Sequence, residues 1–288
     1  MNVQNEEIRE QGSVEKNPAP GISQAPGFNI PDPLSIPSVK DTVSEEEWRL
    51  RCELAATYRL AALYGWTDMV FTHISVRLPS EDGEERFLLN PYGVFFEEMT
   101  ASSLVKVNLE GHAVDDTPYF TNPAGFTIHS ALHMAREDAH CVLHVHTPYG
   151  VAVSAQQEGL KRLTQFAMIV HDDVAYHDYE GIATDLDERE RLVADFGAHH
   201  FMMLRNHGTL TVGTNCATAF MRMYFLEQAC KTQILAQSDI VPPREEGPDM
   251  SGKVGQQGAP AFIQGVGDNL VWPGLMRRLA RHYPGWDA

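Results

Sequence analysis

Three strand-like runs with almost nothing between them set limits on how this chain can fold. "FTHISVRL" (71–78), "RFLLN" (86–90) and "LVKVN" (104–108) each favour extended backbone, and turn signals such as "EDGE" and "NPYG" join them. A parallel crossover needs a dozen or more residues, so neighbours this close pair antiparallel. Farther along, helical and extended patterns alternate. A helix over 126–138 is followed by a strand at 141–146, a short helix near 148–156 and an extended piece at 174–179. A helix near 186–196, strands at "HFMMLRN" and "TLTVG", and a long helix from about Asn215 to Ser238 complete the series. The pattern predicts an α/β fold with a mainly antiparallel central sheet and helices on both faces.

The ends read differently. Residues 1–44 are rich in Pro, Gly, Asn and Ser without periodicity, which predicts a flexible N-terminal arm. Order returns at "SEEEWRLRCELAATYRLAALYGW", where Ser44 and Glu47 form a capping-box pattern and Leu50, Leu54, Tyr58 and Ala61 recur at helical spacing. Past "DIVPPREEGP" the chain is Gly- and Pro-rich until "LMRRLARHY" (275–283), an amphipathic helix with Leu275, Leu279 and Tyr283 on its apolar side. The expected division is an arm over 1–44, one folded domain over 45–238 and a C-terminal extension with a short helix over 239–288. With 43% hydrophobic residues, 288 residues can bury a sizeable single core.

A formal net charge of −17 and the lack of any long Lys/Arg cluster argue against nucleic acid and anionic membrane as partners. The N-terminal segment lacks the basic-then-apolar order of a signal peptide, and no apolar run reaches a spanning length, so a cytoplasmic location is expected. Cys52, Cys141, Cys216 and Cys230 are far apart and form no C-x-x-C, which predicts reduced, buried thiols.

The chemistry concentrates in histidine. In "CVLHVHTPYG" (141–150) a strand would aim His144 and His146 at one face, about 6.5 to 7 Å apart. With 13 histidines in the chain, one such H-x-H arises by chance at roughly even odds, so the pair needs a third member. "MLRNHG" supplies one: His207 follows an apolar strand and precedes Gly208, which permits a tight turn. Three neutral imidazoles could hold a divalent cation with positions left open, although structural histidines would show the same spacing. His129 and His133 share a helix face but lack the glutamate of H-E-x-x-H, so a solvated or packed face is expected there.

Four ordered blocks extend the reading: "GWTDMVFTHISVRLP", "LLNPYGVFFEEMTASSLVKVNLEG", "NPAGFTIHSALHMAREDAHCVLHVHTPYG" and "LRNHGTLTVGTNCATAFMRMYFLEQAC". Together they resemble the class II aldolase/adducin family over roughly 47–238. The resemblance implies a three-layer α/β/α domain and a homotetramer with sites between subunits. It also implies one divalent metal ion, zinc first with manganese or iron as alternatives, held by His144, His146 and His207. Tyr92, Gly93 and Gly125 fall where the aldolases place residues that handle substrate, although "NPYG" is also an ordinary turn.

The departures bear on activity. Sugar-phosphate aldolases of the family carry an acidic general acid/base at the position of Gly125, and their phosphate-binding "GN-x-S" loop and Ser-Ser pair are here "THIS" and Pro123-Ala124. A phosphorylated sugar is therefore not expected as substrate. Several blocks resemble the adducin head, regarded as catalytically idle, but the family also contains decarboxylases and iron oxygenases. Some of those have, like this chain, a histidine where the aldolases have asparagine. That residue, His73, shares a strand face with Ser75 and Arg77 and is the candidate acid/base or substrate-orienting group. Tyr176, His177 and Asp178 are weaker candidates, read as part of a hydrogen-bonded turn. The expected function is a metal-dependent carbon–carbon lyase, aldolase-like or decarboxylating, on a small hydroxycarbonyl or carboxylate. Decarboxylation comes first, because releasing carbon dioxide needs no base at position 125. An iron(II) oxygenase and an inactive binding module are the alternatives.

Overall fold

The computed structural model describes residues 30–80, 83–181, 187–238 and 242–288; the side chains of residues 123–125 are not described. Seven strands form one sheet: β1 (His73–Arg77), β2 (Phe87–Leu89), β3 (Val105–Val107), β4 (Cys141–Val145), β5 (Val174–His177), β6 (Phe201–Leu204) and β7 (Gly208–Gly213). Their order is β3-β2-β1-β4-β7-β6-β5. Every pairing is antiparallel except β5 with β6, which run parallel. The three short-linked runs of the sequence are thus β1, β2 and β3, paired as their spacing requires.

Alternation along the strands sorts side chains into two cores. Ile74, Val76, Cys141, Leu143 and Val145 point into the larger core, with Leu54 and Tyr58 of helix α1 (Glu45–Leu63) and Phe220 and Leu226 of helix α6 (Cys216–Ala236). Val142, Met202, Leu210 and Val212 point the opposite way, into a smaller core with Leu132 of α2 (Pro123–Ala135) and Leu192 and Phe196 of α5 (Glu188–Phe196). Helices on both faces of one sheet give three layers. Burying a Leu or Phe side chain from each layer contributes about 1.5–3 kcal/mol per residue, enough to fix which face of each strand is which.

Helix starts follow the caps in the sequence. Ser44 Oγ accepts from Glu47 N at 3.1 Å, and Asn215 Oδ1 accepts from Thr218 N at 2.7 Å. The capping box at Ser44 forms only in half: the Glu47 carboxylate is buried and accepts from Arg51 Nε (2.8 Å) and Lys106 Nζ (2.9 Å) instead of turning back on the cap. An ion pair out of water outcompetes a single backbone amide for that carboxylate.

Between β4 and β5 lie α3 (Pro148–Ser154) and α4 (Gln165–Val170), the second of which the sequence pattern did not signal. The Gly- and Pro-rich C-terminal stretch also folds, as α7 (Pro248–Gln256), α8 (Ala259–Val266), a π-turn at Gly267–Val271 and α9 (Trp272–His282). Pro248 and Pro260 each occupy a first turn, where the missing N–H costs nothing. Leu275 and Leu279 of α9 are buried in the main core, and Tyr283 is partly buried against it. Most of the expected N-terminal arm lies outside the described residues. Of the remainder, Ile30 and Ile36 pack on the core, and Tyr119 donates to the Pro31 carbonyl at 3.1 Å.

Candidate metal centre

The centre sits where β4 ends and the β6–β7 turn comes up beside it. His144 is the fourth residue of β4, His146 follows the strand, and Thr147 caps α3 by accepting from Gly150 N at 3.0 Å. β4 pairs with β7 over Cys141–Val145, which brings the residue just before β7, His207, to the same sheet end. The three imidazoles pack around one point with ring centroids 4.7, 4.8 and 4.7 Å apart, and one nitrogen from each lies within 4.8 Å of the others. Among the described residues no other trio of His, Cys, Asp or Glu groups meets this way.

The β6–β7 turn owes its geometry to two residues. Asn206 carries φ 57°, a left-handed conformation that asparagine tolerates better than most. Gly208 has no positive φ; a Cβ there would lie 2.6 Å from the Val145 carbonyl oxygen and 3.0 Å from His146 Cδ2. Glycine at this place therefore allows the close approach of the turn to the ligand strand rather than the turn itself, which corrects the role expected from sequence.

Hydrogen bonds orient two of the rings. His144 Nδ1 lies 3.0 Å from the Thr209 carbonyl oxygen, and His146 Nδ1 lies 3.0 Å from Asp68 Oδ2. Both partners accept only, so both Nδ1 atoms carry protons. The two Nε2 atoms then face each other 2.9 Å apart. Two neutral rings in this pose set lone pair against lone pair, a repulsion that a positive charge between them relieves. Burial, reinforced by the neighbouring imidazoles, holds His144 well below the usual histidine range, and burial followed by His146 brings His207 down to about 4. Neutral imidazole is the ligating form. The triad could therefore hold a divalent metal, with Asp68 and Thr209 as its outer supports.

Behind the ligands lies a buried carboxylate that sequence reasoning missed. Glu227 of α6 accepts from the hydroxyls of Thr147 and, at 3.2 Å, Thr209, so it braces both the residue after His146 and the residue whose carbonyl holds His144. Burial raises it to about 7 in spite of those two donors. Asp68 carries no signal of its own in the sequence, since a lone Asp-Met after a Trp-Thr turn fits many loops.

The other expected site residues are placed as follows. His73 pairs with His144 across β1 and β4, its ring centroid 5.3 Å from that of His144. Gly125 lies in the first turn of α2. Tyr92 donates its backbone N–H to the Phe120 carbonyl at 2.7 Å, and Gly93, at φ 100°, sits against Ile30 in the turn. Tyr176 belongs to β5, where its hydroxyl accepts from Leu160 N at 3.0 Å and its ring stacks under Arg205 at 4.3 Å. His177 Nδ1 bonds Asp195 at 2.8 Å. His129 and His133 are fully buried, so of the two expectations for that face, packing holds and solvation does not. Cys141, Cys216 and Cys230 are buried, Cys52 is half-buried, and all four are free thiols.

Fold and site together define an α/β protein of the aldolase type with a three-histidine centre. The family model "Class II Aldolase and Adducin N-terminal domain" matches residues 52–234, and the chain belongs to that family. It is 54% identical over 258 residues to a Caulobacter vibrioides protein named "Putative aldolase class 2 protein", covering 88% of this chain and 97% of that one. It is 47% identical over 188 residues to Alpha-adducin of Mus musculus, a match spanning 64% of this chain and 25% of the adducin. The crystal structure of an aldolase II superfamily protein from Pseudomonas syringae superposes with a TM-score of 0.80 at 45% identity, covering 87% of this chain and 99% of that one. No helix of the described residues is long and apolar enough to cross a membrane.

Proposed function

We propose that this chain is a divalent-metal-dependent lyase that breaks a carbon–carbon bond in a small hydroxycarbonyl or carboxylate substrate. The observation carrying the proposal is the pair of His144 and His146 Nε2 atoms 2.9 Å apart with both Nδ1 protons already committed, and His207 completing the trio. A cation bound there would supply Lewis acidity, drawing off the negative charge that develops on a substrate oxygen as the bond breaks. Zinc is the first choice for three imidazoles, with manganese or iron as alternatives. Asp68 and Thr209 hold the two rings in the ligating tautomer, and Glu227 holds the threonines. The same reading makes the protein a homotetramer acting on a small molecule.

Gly125 supports an adducin-like reading of the chain, because glycine cannot move a proton where the sugar-phosphate aldolases use a carboxylate. The 47% identity to Alpha-adducin favours a second reading on that account, a binding module without turnover. The test is elemental analysis of protein purified without added metal, beside His207→Ala, with both preparations assayed for aldehyde or carbon dioxide release from short hydroxycarbonyl and hydroxycarboxylate compounds. One divalent ion per chain and turnover, both lost in the variant, are expected. Equal metal content in the two preparations would overturn the site. Metal without turnover on any of these compounds would favour the binding module.

A further inference from the structure

Away from the triad, the end of β5 and helix α5 set an imidazole among carboxylates. His177 is the last residue of β5 and only 3% exposed. Its Nδ1 lies 2.8 Å from Asp195 Oδ2, and a carboxylate only accepts, so that nitrogen carries a proton. Nε2 faces two other acids. Glu188 Oε1, from the first residue of α5, lies 3.4 Å from it, and Glu180 Oε1 lies 4.0 Å from it. Neither closes a hydrogen bond, which leaves Nε2 a buried polar atom without a partner.

Charge and distance together say what belongs in this gap. In the neutral ring Nε2 is a lone pair set against carboxylate oxygens, and Glu188, itself buried, has no other ion pair among the described residues. Acceptors facing one another out of water are costly unless a positive charge lies between them. A second proton on the ring would bring the charge but not the bond, since a charge-assisted N–H···O contact closes to about 2.7–2.9 Å. A divalent cation takes its nitrogen and oxygen ligands at about 2.0–2.2 Å each, and so reaches both atoms across a gap that a proton leaves open. The surroundings suit such an ion. Asp195 on the far nitrogen is the carboxylate that commonly orients a ligand histidine. Arg191 Nε holds Glu180 Oε1 beside the gap at 2.8 Å, and both Glu180 and Asp195 are partly exposed, which gives an ion its way in.

We propose that His177 Nε2 and Glu188 Oε1 form a second divalent-cation site, with Glu180 turning in as a further ligand and Asp195 supporting the imidazole from behind. One imidazole with carboxylates suits zinc, and manganese where oxygen ligands dominate. Fewer ligands are in place here than at the triad, so this site fills second and on added metal. Its ion ties the end of β5 to the first turn of α5. The assignment stands whether or not the triad binds metal, and it gives His177 a role beyond the hydrogen-bonded turn expected from sequence.

Crystals of the full chain soaked in zinc, with data collected on both sides of the zinc absorption edge, locate the ions directly. Anomalous peaks are expected at the triad and within bonding distance of His177 Nε2. A peak at the triad alone would overturn the inference and leave the group a histidine–carboxylate ion pair. A peak at His177 alone would uphold it and sink the proposed function instead. Equilibrium dialysis against zinc then counts ions, and His177→Gln and Glu188→Gln should each hold one fewer per chain than wild type; an equal count in the folded variants would refute the site. Asp195→Asn, at a partly exposed position, guards against variants that fail to fold. It should weaken the second ion about tenfold and leave the first unchanged, and equal affinity for both ions in that variant would count against the assignment.

Discussion

Glu227 is a buried carboxylate with no cationic partner among its hydrogen bonds, and its cost should be measurable as a function of pH. Its pKa is raised from 4.5 to about 7, first by burial, against the opposing pull of the Thr147 and Thr209 hydroxyls. Between those two values the native state holds the proton that the unfolded chain has released. Stability therefore falls as pH rises through roughly 4.5 to 7 and levels off above, with a total of about 3 kcal/mol from this group. Glu227→Gln keeps the shape and the hydrogen-bonding capacity but cannot ionise. The assay is urea unfolding of both proteins with a chelator present, since a cation nearby would itself lower the carboxylate pKa. Relative to wild type, the glutamine variant should gain about 2 to 3 kcal/mol more at pH 8 than at pH 5. A difference between the two proteins that is constant across this range would show that Glu227 ionises normally in the fold, and would refute the account of it as a desolvated brace.

Two further predictions concern the centre. Asp68→Ala removes the acceptor on His146 Nδ1, and metal affinity measured by chelator competition should drop about tenfold, the lower end for such supports because Asp68 is 41% exposed and water can take its place. Gly208→Ala drives a methyl against the Val145 carbonyl, so thermal unfolding should report a loss of about 1–3 kcal/mol and the variant should bind metal more weakly; unchanged values in both would mean the turn can back away freely.

The sheet was legible because its pattern is local. Short links force β1, β2 and β3 to pair antiparallel, and period-two alternation in "CVLHV" assigns Val142 and His144 to one face whatever else the chain does. The convergence of His207 on the other two ligands was reachable because strand ends meet at sheet ends. What could not be read were contacts that depend on three-dimensional approach. Glu227 looks like any polar residue of a long helix until α6 is laid under β7. Asp68 acquires meaning only beside His146, and Gly208 signals a turn in sequence but serves a close approach in space. Helices α7 and α8 were hidden because glycine and proline count against a helix on average, although proline in a first turn does not. The His129 and His133 pair reads in sequence as a solvated or packed helix face because its partner, Ser75, lies on a strand far away in the chain.

The ligands stand on both sides of the β4–β7 ladder, a pairing between segments far apart in sequence. A cation therefore gains His207, its third ligand, only once that ladder has closed, and the entropy of closing it is spent without the complete site's help. Ion binding in such a design acts on the exit from the native state: it lengthens the lifetime of the assembled sheet and leaves the speed of reaching it to the hydrophobic layers alone.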